Sequence, residues 1–180
     1  MAHLTGPVAY AQQTSETVGS SAPTMALGTR ARDVSGNEYM YIDFGAAFIA
    51  GELVAISTAF AGSECTASTV GPVGLAMGTQ SSDTCGWVQI YGTGYALGTT
   101  LLVIGPVGLD ATSGGISFVV PQTTGVNAIL GMYCVLGSTA TSATAGETSV
   151  AGSSVIGGLV TVQLNYPFAN GLHIESAVSS

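Results

Sequence analysis

Apolar positions along this chain recur in short runs and not at helical spacing. From Met25 onward the runs are rich in Val, Ile, Tyr and Thr, and clusters of Gly, Pro, Ser and Asn separate them, a pattern typical of β-strands joined by turns. No segment keeps apolar residues at i, i+3, i+4 and i+7 over three turns without an interrupting Gly or Pro. The pattern therefore predicts an all-β fold.

The strand candidates fill most of residues 25–168. Their close spacing is typical of a single β-barrel or β-sandwich domain of short antiparallel strands. Residues 1–24 show no sustained period and are rich in Ser, Thr, Gln and Gly, so we expect an extended N-terminal arm that orders on a partner. Residues 169–180 are expected to form a C-terminal tail. After a first hairpin, the predicted strands cover residues 53–58, 73–77, 86–91, 101–104, 116–120, 129–136 and 159–166.

The first hairpin is predicted over residues 29–44, TRARDVSGNEYMYIDF. Apolar residues at every second position of MYIDF give its second strand one aliphatic face, and Ser-Gly-Asn supplies a turn that tolerates positive φ. A two-residue loop of Ser35 and Gly36 and a four-residue loop over residues 34–37 give the same register.

That register places Arg32 opposite Tyr39 and Arg30 opposite Tyr41. The two arginines then lie against aromatic rings, where a cation–π contact contributes roughly 0.5–1 kcal/mol at an exposed site. These four residues are therefore candidates for an interface.

A second aromatic pair lies in GWVQIYGTGY, residues 86–95. Strand alternation puts Trp87 and Tyr91 on one face and Val88 and Ile90 on the other. The aliphatic face is a natural core face, so the two aromatic rings become interface candidates. The alternative for Trp87 is a place in a second core, or at its rim, within the same subunit.

The pentapeptide GPVGL occurs twice, at residues 71–75 and 105–109. In both copies Gly-Pro is expected to open a turn and Val-Gly-Leu to enter an extended segment. The copies mark equivalent corners of a barrel, or they recur by chance in a chain rich in glycine. The small, polar stretch at residues 138–154 is expected to be a long exposed loop.

Composition points to a surface that a partner covers. Only 7% of the residues are charged, 47% are hydrophobic, and 26 of 180 are glycine, while mean hydropathy is +0.51. A monomer of this kind exposes apolar patches that associate with copies of itself or with another protein. The alternative is a plain Gly- and Ala-rich soluble domain.

The charge balance excludes several partners. The net charge is −8, with two arginines and no lysine, so binding to nucleic acid or to an anionic membrane surface is not expected. No run of about 20 apolar residues predicts a transmembrane helix. The N-terminus lacks a basic segment followed by an apolar core, so the protein is expected to stay in the cell that makes it.

Candidate chemistry is sparse. The histidines, His3 and His173, fall in the predicted arm and tail, where neither suits a preorganised catalytic site. Asp33 and Glu38 are the one carboxylate pair that the hairpin brings close together, but an exposed turn does not shield a general acid. We therefore predict no enzyme activity, no cofactor and no metal site.

Cys65, Cys85 and Cys134 are widely spaced and form no CxxC pair. They are expected to be buried thiols. The alternative is a bridge between Cys65 and Cys85 in an oxidising medium.

Four motifs in order carry a family resemblance. A Gly-x-Glu-Tyr hairpin precedes an Ala-Gly-acid-x-Val step, a Val-Gly strand and a Gly-Trp-Val-Gln strand, all within residues 26–92, a little over a third of the chain. This order resembles capsid decoration, or cement, proteins of tailed bacteriophages. The matching residues are Gly36, Glu38, Tyr39, Ala50, Gly51, Glu52, Val54, Val73, Gly74, Gly86, Trp87, Val88 and Gln89.

The resemblance implies a β-rich, trimeric module that binds the lattice of the major capsid protein. The sequence thus predicts a non-enzymatic virion protein, made in the host cytoplasm, that decorates and stabilises the outer capsid surface. One alternative is another non-catalytic virion component, such as a tail, fibre or adhesin subunit. A small β-sandwich hydrolase or carbohydrate-binding module is the other.

Overall fold

The computed structural model shows an all-β protein, as the sequence predicts. It describes residues 16–17, 25–66, 68–98, 105–109, 116–118, 127–136 and 159–173, and these contain strands and turns but no helix. The strands are β1 Glu16–Thr17, β2 Arg30–Arg32, β3 Glu38–Phe44, β4 Leu53–Ile56, β5 Ala61–Glu64, β6 Val70–Ala76, β7 Thr84–Leu97, β8 Gly105–Leu109, β9 Ile116–Phe118, β10 Asn127–Leu136 and β11 Leu159–His173.

Strand pairing closes a ring in the first half of the chain. β7 pairs with β3, β3 runs parallel to β5, β5 pairs with β4, β4 with β6, and β6 returns to β7. The apolar side chains at alternate positions of these strands, together with Phe48 between β3 and β4, form the first core. Its buried members are Met40, Ile42, Phe44, Phe48, Val54, Ile56, Ala76, Val88 and Ile90.

β7 links this ring to a second part of the sheet. It pairs with β3 as far as Tyr91, and from Tyr91 to Leu97 it pairs with β11. The sheet continues from β11 to β10, β8 and β9, and β11 also pairs with β6. The second core covers one side of these strands and includes Val73, Leu75, Val107, Leu109, Ile129, Met132, Val160, Val162 and Leu164.

A third cluster lies on the other face of β3 and β7. Tyr39, Tyr41, Cys85 and Trp87 are buried there, and Met25 is among the side chains that pack against them. The alternation predicted for β3 is confirmed, because Met40, Ile42 and Phe44 lie in the first core and Tyr39 and Tyr41 in this cluster. On β7, Val88 and Ile90 lie in the first core and Trp87 in this cluster, whereas Tyr91 belongs to neither.

The predicted hairpin register is wrong by one residue. Arg32 lies opposite Glu38, and Arg30 lies opposite Met40. The cause is Asp33, whose carboxylate accepts the backbone N–H groups of Ser35 and Asn37 at 2.8 and 3.0 Å. This Asx-type turn occupies five residues, so it shifts the pairing and carries the arginines to the aliphatic face of β3.

The two GPVGL copies lie within strands β6 and β8, not at turns. Both have the same burial pattern, and both begin at a glycine with positive φ, +132° at Gly71 and +151° at Gly105. Each pairs antiparallel with one of the two central strands, β6 with β11 and β8 with β10. The repeated sequence therefore forms structurally equivalent strands on either side of the β10–β11 pair.

Other expectations have mixed outcomes. Cys65, Cys85 and Cys134 are buried free thiols. Cys65 belongs to the second core and Cys85 to the third cluster, and a bridge between them in an oxidising medium stays an alternative. β11 continues to His173 and so enters the predicted tail. Of the predicted arm, only residues 16–17 are described, and they pair with Cys85 and Thr84 of β7. The strand expected at 101–104 and the loop expected at 138–154 lie outside the described residues.

Candidate functional site

The most distinctive surface is the side of the second part of the sheet that faces away from the second core. Six large side chains on it are between 42% and 65% exposed, because strand alternation that buries one set of residues points the next set outward. We call this surface the outer face. Its apolar residues are Val70, Pro72, Tyr95, Pro106, Leu130, Tyr133, Val135 and Phe168.

The strands that build the outer face carry no charged side chain other than the ionisable His173 at the end of β11. β6, β7, β8, β10 and β11 contain no Asp, Glu, Lys or Arg. Polar groups on this surface pair with one another: the Thr93 hydroxyl lies 3.1 Å from the Gln163 side-chain oxygen and donates to it. The outer face is therefore apolar and electrically neutral in a chain of net charge −8.

The repeated strands shape this face. Pro72 lies opposite Phe168, and Pro106 lies opposite Tyr133. Each GPVGL copy thus sets an exposed proline beside an exposed aromatic ring. Rigid prolines and aromatic rings lose little conformational entropy on binding, which suits them to an interface.

A cavity of about 360 Å³ opens at the edge of the outer face. Pro72 and Phe168 belong to both features, while Met40, Ile56 and Ile90 line the cavity from the first core. Among the residues that line the cavity, Arg30 carries the charged side chain. The remaining lining residues are Val73, Tyr166 and Pro167.

A polar network borders the cavity. Arg32 forms a hydrogen-bonded ion pair with Glu38, and the Tyr166 hydroxyl donates to the other carboxylate oxygen of Glu38 at 2.7 Å. The hydrogen bond from Arg32 and then that from Tyr166 lower the pKa of Glu38. The same contacts raise the pKa of Arg32 and of Tyr166.

Tyr166 is held between two further groups. Its ring lies 5.3 Å from that of Tyr91, and the guanidinium carbon of Arg30 lies 5.7 Å from the ring centre. The cation–π contact expected for Arg30 thus exists, but its partner is Tyr166 and not Tyr41. Tyr166 adopts φ +49° at an irregular point of the β10–β11 pairing, which turns its ring toward β2.

The six sequence-predicted interface residues separate into two groups. Tyr39, Tyr41 and Trp87 are at most 5% exposed, and the rings of Tyr41 and Trp87 pack edge to face at 5.3 Å. Trp87 therefore lies buried within the subunit, in the third cluster, which is the alternative that the sequence left open. These three rings offer little surface to a partner. Arg30, Arg32 and the partly buried Tyr91 remain accessible.

Sequence reasoning missed the outer face itself. The signal was present in NAILGMYCVL of β10, where large apolar residues occupy both alternating positions. Such a strand buries one face and leaves Leu130, Tyr133 and Val135 on the other. The strict alternation of inward and outward residues is interrupted at Gly131, which has φ +77° and lies at a shift in the β10–β11 register. The alternation is therefore not evident from the sequence.

The carboxylates of Glu52 and Asp33 accept backbone N–H groups and so stabilise local structure. Glu52 accepts the Ile49 N–H at 2.8 Å, and burial raises its pKa. Partial burial pushes the pKa of Asp33 upward, but hydrogen bonds from Asn37, Tyr39 and Ser35 outweigh it and lower the pKa. No group of three or more His, Cys, Asp or Glu within the described ranges is arranged to hold a metal ion.

Comparison with known proteins adds no family. No protein-family model matches the chain, and no curated protein matches it in sequence. In the part of the chain that the structure describes, no helix has the length and hydropathy needed to cross a membrane. A functional proposal therefore depends on the outer face, the cavity and the sequence resemblance.

Proposed function

We propose that this protein is a non-enzymatic structural component of a bacteriophage virion. It decorates the outside of the capsid as a homo-oligomer, most simply a trimer, and stabilises the shell by binding the lattice of the major capsid protein. The observation that carries this proposal is the outer face, an uncharged apolar surface with large side chains 42–65% exposed.

Such a surface is unfavourable on a solitary protein in water. Contiguous exposed apolar patches mark sites of association in soluble proteins. The centre of a stable interface is depleted of charged residues and enriched in aromatic ones, and Tyr95, Tyr133 and Phe168 supply aromatic rings here. A copy of the chain or a capsid subunit that covers the outer face removes this area from water.

The charge distribution favours docking through this face. The chain carries a net charge of −8, so random contacts between copies are repulsive. Contact through strands without acidic residues avoids most of this repulsion. Binding is then governed by apolar and backbone contacts and depends little on salt.

The sequence resemblance supports the same function from a different region. Its motifs fall in residues 26–92, which build the ring, whereas much of the outer face belongs to β8, β10 and β11. Most matched residues shape the ring: a side chain at Gly86, for example, would meet the Gln80 amide and the Phe44 ring. Most of the outer face therefore lies outside the residues that carry the resemblance.

Cosedimentation with capsids assembled without this protein tests the proposal. Leu130→Asp and Tyr133→Asp each place a charge on the outer face and should reduce capsid binding about tenfold or more, since a desolvated, unpaired carboxylate costs at least ~1.4 kcal/mol. Val34→Asp is the matched control, because Val34 is 89% exposed at the hairpin tip and belongs to none of the strands that build this face. Binding that is equal in all variants, or wild-type protein that never cosediments, would contradict the proposal.

The same surface suits a tail, fibre or adhesin subunit. Electron microscopy of native particles with a labelled copy of the protein separates these assignments. Label on the capsid shell supports decoration, whereas label confined to the tail supports the alternative.

A further inference from the structure

Positive charge is concentrated at one corner of this molecule. Arg30 and Arg32 are the only basic side chains other than histidine in the whole sequence, and both lie on β2 beside the cavity. Glu38 is the carboxylate that faces them. Within the described part of the chain, Glu38 balances one of the two arginines, so one positive charge has no partner carboxylate at the rim of the cavity.

The two arginines are engaged differently. Arg32 is paired with Glu38, whose second oxygen is taken by the Tyr166 hydroxyl. Arg30 lies over the Tyr166 ring and lines the cavity, and the only ion pair among the described residues does not include it. Its guanidinium keeps donors available for a carboxylate from outside.

Apart from Arg30 and the Tyr166 hydroxyl, the side chains that line the cavity are apolar. Met40, Ile56 and Ile90 form its depth, and Pro72 and Phe168 border its mouth. Its volume, 360 Å³, is near the lower end of the range of about 300–1,000 Å³ found for ligand sites. The space suits one or two apolar side chains better than a large ligand.

We infer that this cavity is an anchoring site for the protein partner that covers the outer face. The cavity takes one large apolar side chain of the partner, and Arg30 binds a carboxylate on a neighbouring residue of the same segment. Continuity supports a protein occupant, since Pro72 and Phe168 belong to both the cavity and the outer face. The inference rests on the proposed function only in assigning the site to such a partner.

The test uses the isolated full-length protein and three capped tetrapeptides. Their sequences are Gly-Glu-Leu-Gly and the same peptide with Gln or Lys in place of Glu, and binding is followed by the amide shifts of Arg30, Tyr166 and Phe168 in an NMR titration. The Glu peptide should bind about two- to fivefold more tightly than the Gln peptide, the range expected of an exposed ion pair. The Lys peptide should bind most weakly, and added salt should reduce the differences.

Variants assign the preference to Arg30. Arg30→Gln should remove it, and Arg30→Glu should reverse it in favour of the Lys peptide. The matched control is the double variant Arg32→Gln with Glu38→Gln, which leaves the net charge unchanged and should keep the preference. Because Arg30 is exposed, these substitutions are not expected to disturb folding.

Several results would overturn the inference: no response to any peptide, equal affinity for all three, or a preference that persists in Arg30→Gln. Failure of the proposed function is a separate outcome. Peptide selectivity in a protein that never cosediments with capsids keeps the site and removes the capsid role, whereas capsid binding without peptide selectivity removes only the site.

Discussion

Glu52 shows how one half-buried carboxyl group couples stability to pH. Burial raises its pKa above the ordinary value. A group whose folded-state pKa exceeds its unfolded value contributes stability that is fully present below the unfolded pKa and is lost as pH rises through the folded pKa. This contribution is therefore lost above about pH 4, where a free glutamate ionises.

Glu52→Gln is accordingly expected to match or exceed the wild type in stability at pH 7. The amide oxygen keeps an acceptor for the Ile49 N–H, while the ionisation is removed. Urea unfolding between about pH 4 and pH 7 measures the difference, which should grow with pH. Glu64→Gln, at an exposed residue nearby, is the control and should change stability less. A variant that is weaker than wild type mainly at pH 7 would contradict this.

Gly92 shows where backbone conformation excludes any side chain. Its φ is +97°, and a Cβ there would collide with the Asn37 side chain, whose oxygen accepts the Thr93 N–H at 3.1 Å. Gly92 lies at the point along β7 where pairing with β3 ends and pairing with β11 continues.

Gly92→Ala should lower the free energy of unfolding by about 2–4 kcal/mol, since backbone strain and steric overlap add together. Gly36→Ala is the matched control: its φ is +87°, but nothing lies within 4 Å of the added Cβ. It should cost about 1–2 kcal/mol, the strain alone. Equal losses in chemical denaturation would show that the contact with Asn37 is unimportant.

At the scale of elements, alternation predicted strand faces better than it predicted register. The letters of β7 were enough to separate Val88 and Ile90 from Trp87, because the parity of a position decides the face of the strand on which its side chain lies. Register depends on the conformation of the turn. The Asp33 carboxylate fixes that conformation by accepting the N–H groups of Ser35 and Asn37, and the sequence alone does not show that this turn is preferred over a shorter one. A slip of one residue exchanged tyrosine for Glu38 and Met40 as partners of the arginines.

Asp33→Asn tests the turn. Hydrogen bonds lower the pKa of Asp33, so its contribution is present above the unfolded pKa and is lost as pH falls through the folded pKa. The variant should lose about 1–2 kcal/mol at pH 7, and the difference from wild type should shrink below about pH 4. Asp83→Asn, at an exposed turn, controls for the change in charge. A loss that is independent of pH would assign the effect to shape and not to charge.

At the scale of the whole molecule, composition predicted exposed apolar surface but not its position. Low charge and high hydropathy implied that part of the surface is covered. The outer face arises only when β10 and β11 pair between the two GPVGL strands. Residues separated by more than 90 positions, such as Val70 and Phe168, then share one surface, and no local pattern reports such a contact.

Deletion of residues 1–24 tests whether this segment contributes to capsid binding without being needed for folding. Within the described residues, this segment contributes two residue pairs at the Thr84 end of β7, whereas the three core clusters are built from residues 25 onward. The truncated protein should therefore keep its β-rich circular dichroism spectrum and cooperative unfolding. Capsid affinity should fall about tenfold, or about 1.4 kcal/mol, because we expect the arm to order on a partner. Its removal also takes away the β1 pairing at Thr84 and Cys85 of β7.

The measurement is sedimentation of full-length and truncated protein, alone and with capsids, across a salt series. Tyr133→Asp in the full-length chain is the comparison, since it alters the outer face and leaves the arm in place. If the two changes weaken binding through separate contacts, the combined variant should lose the sum of the two free energies. Unfolding of the truncated protein would show that β1 is part of the core, and unchanged affinity would place the whole of capsid binding on the outer face.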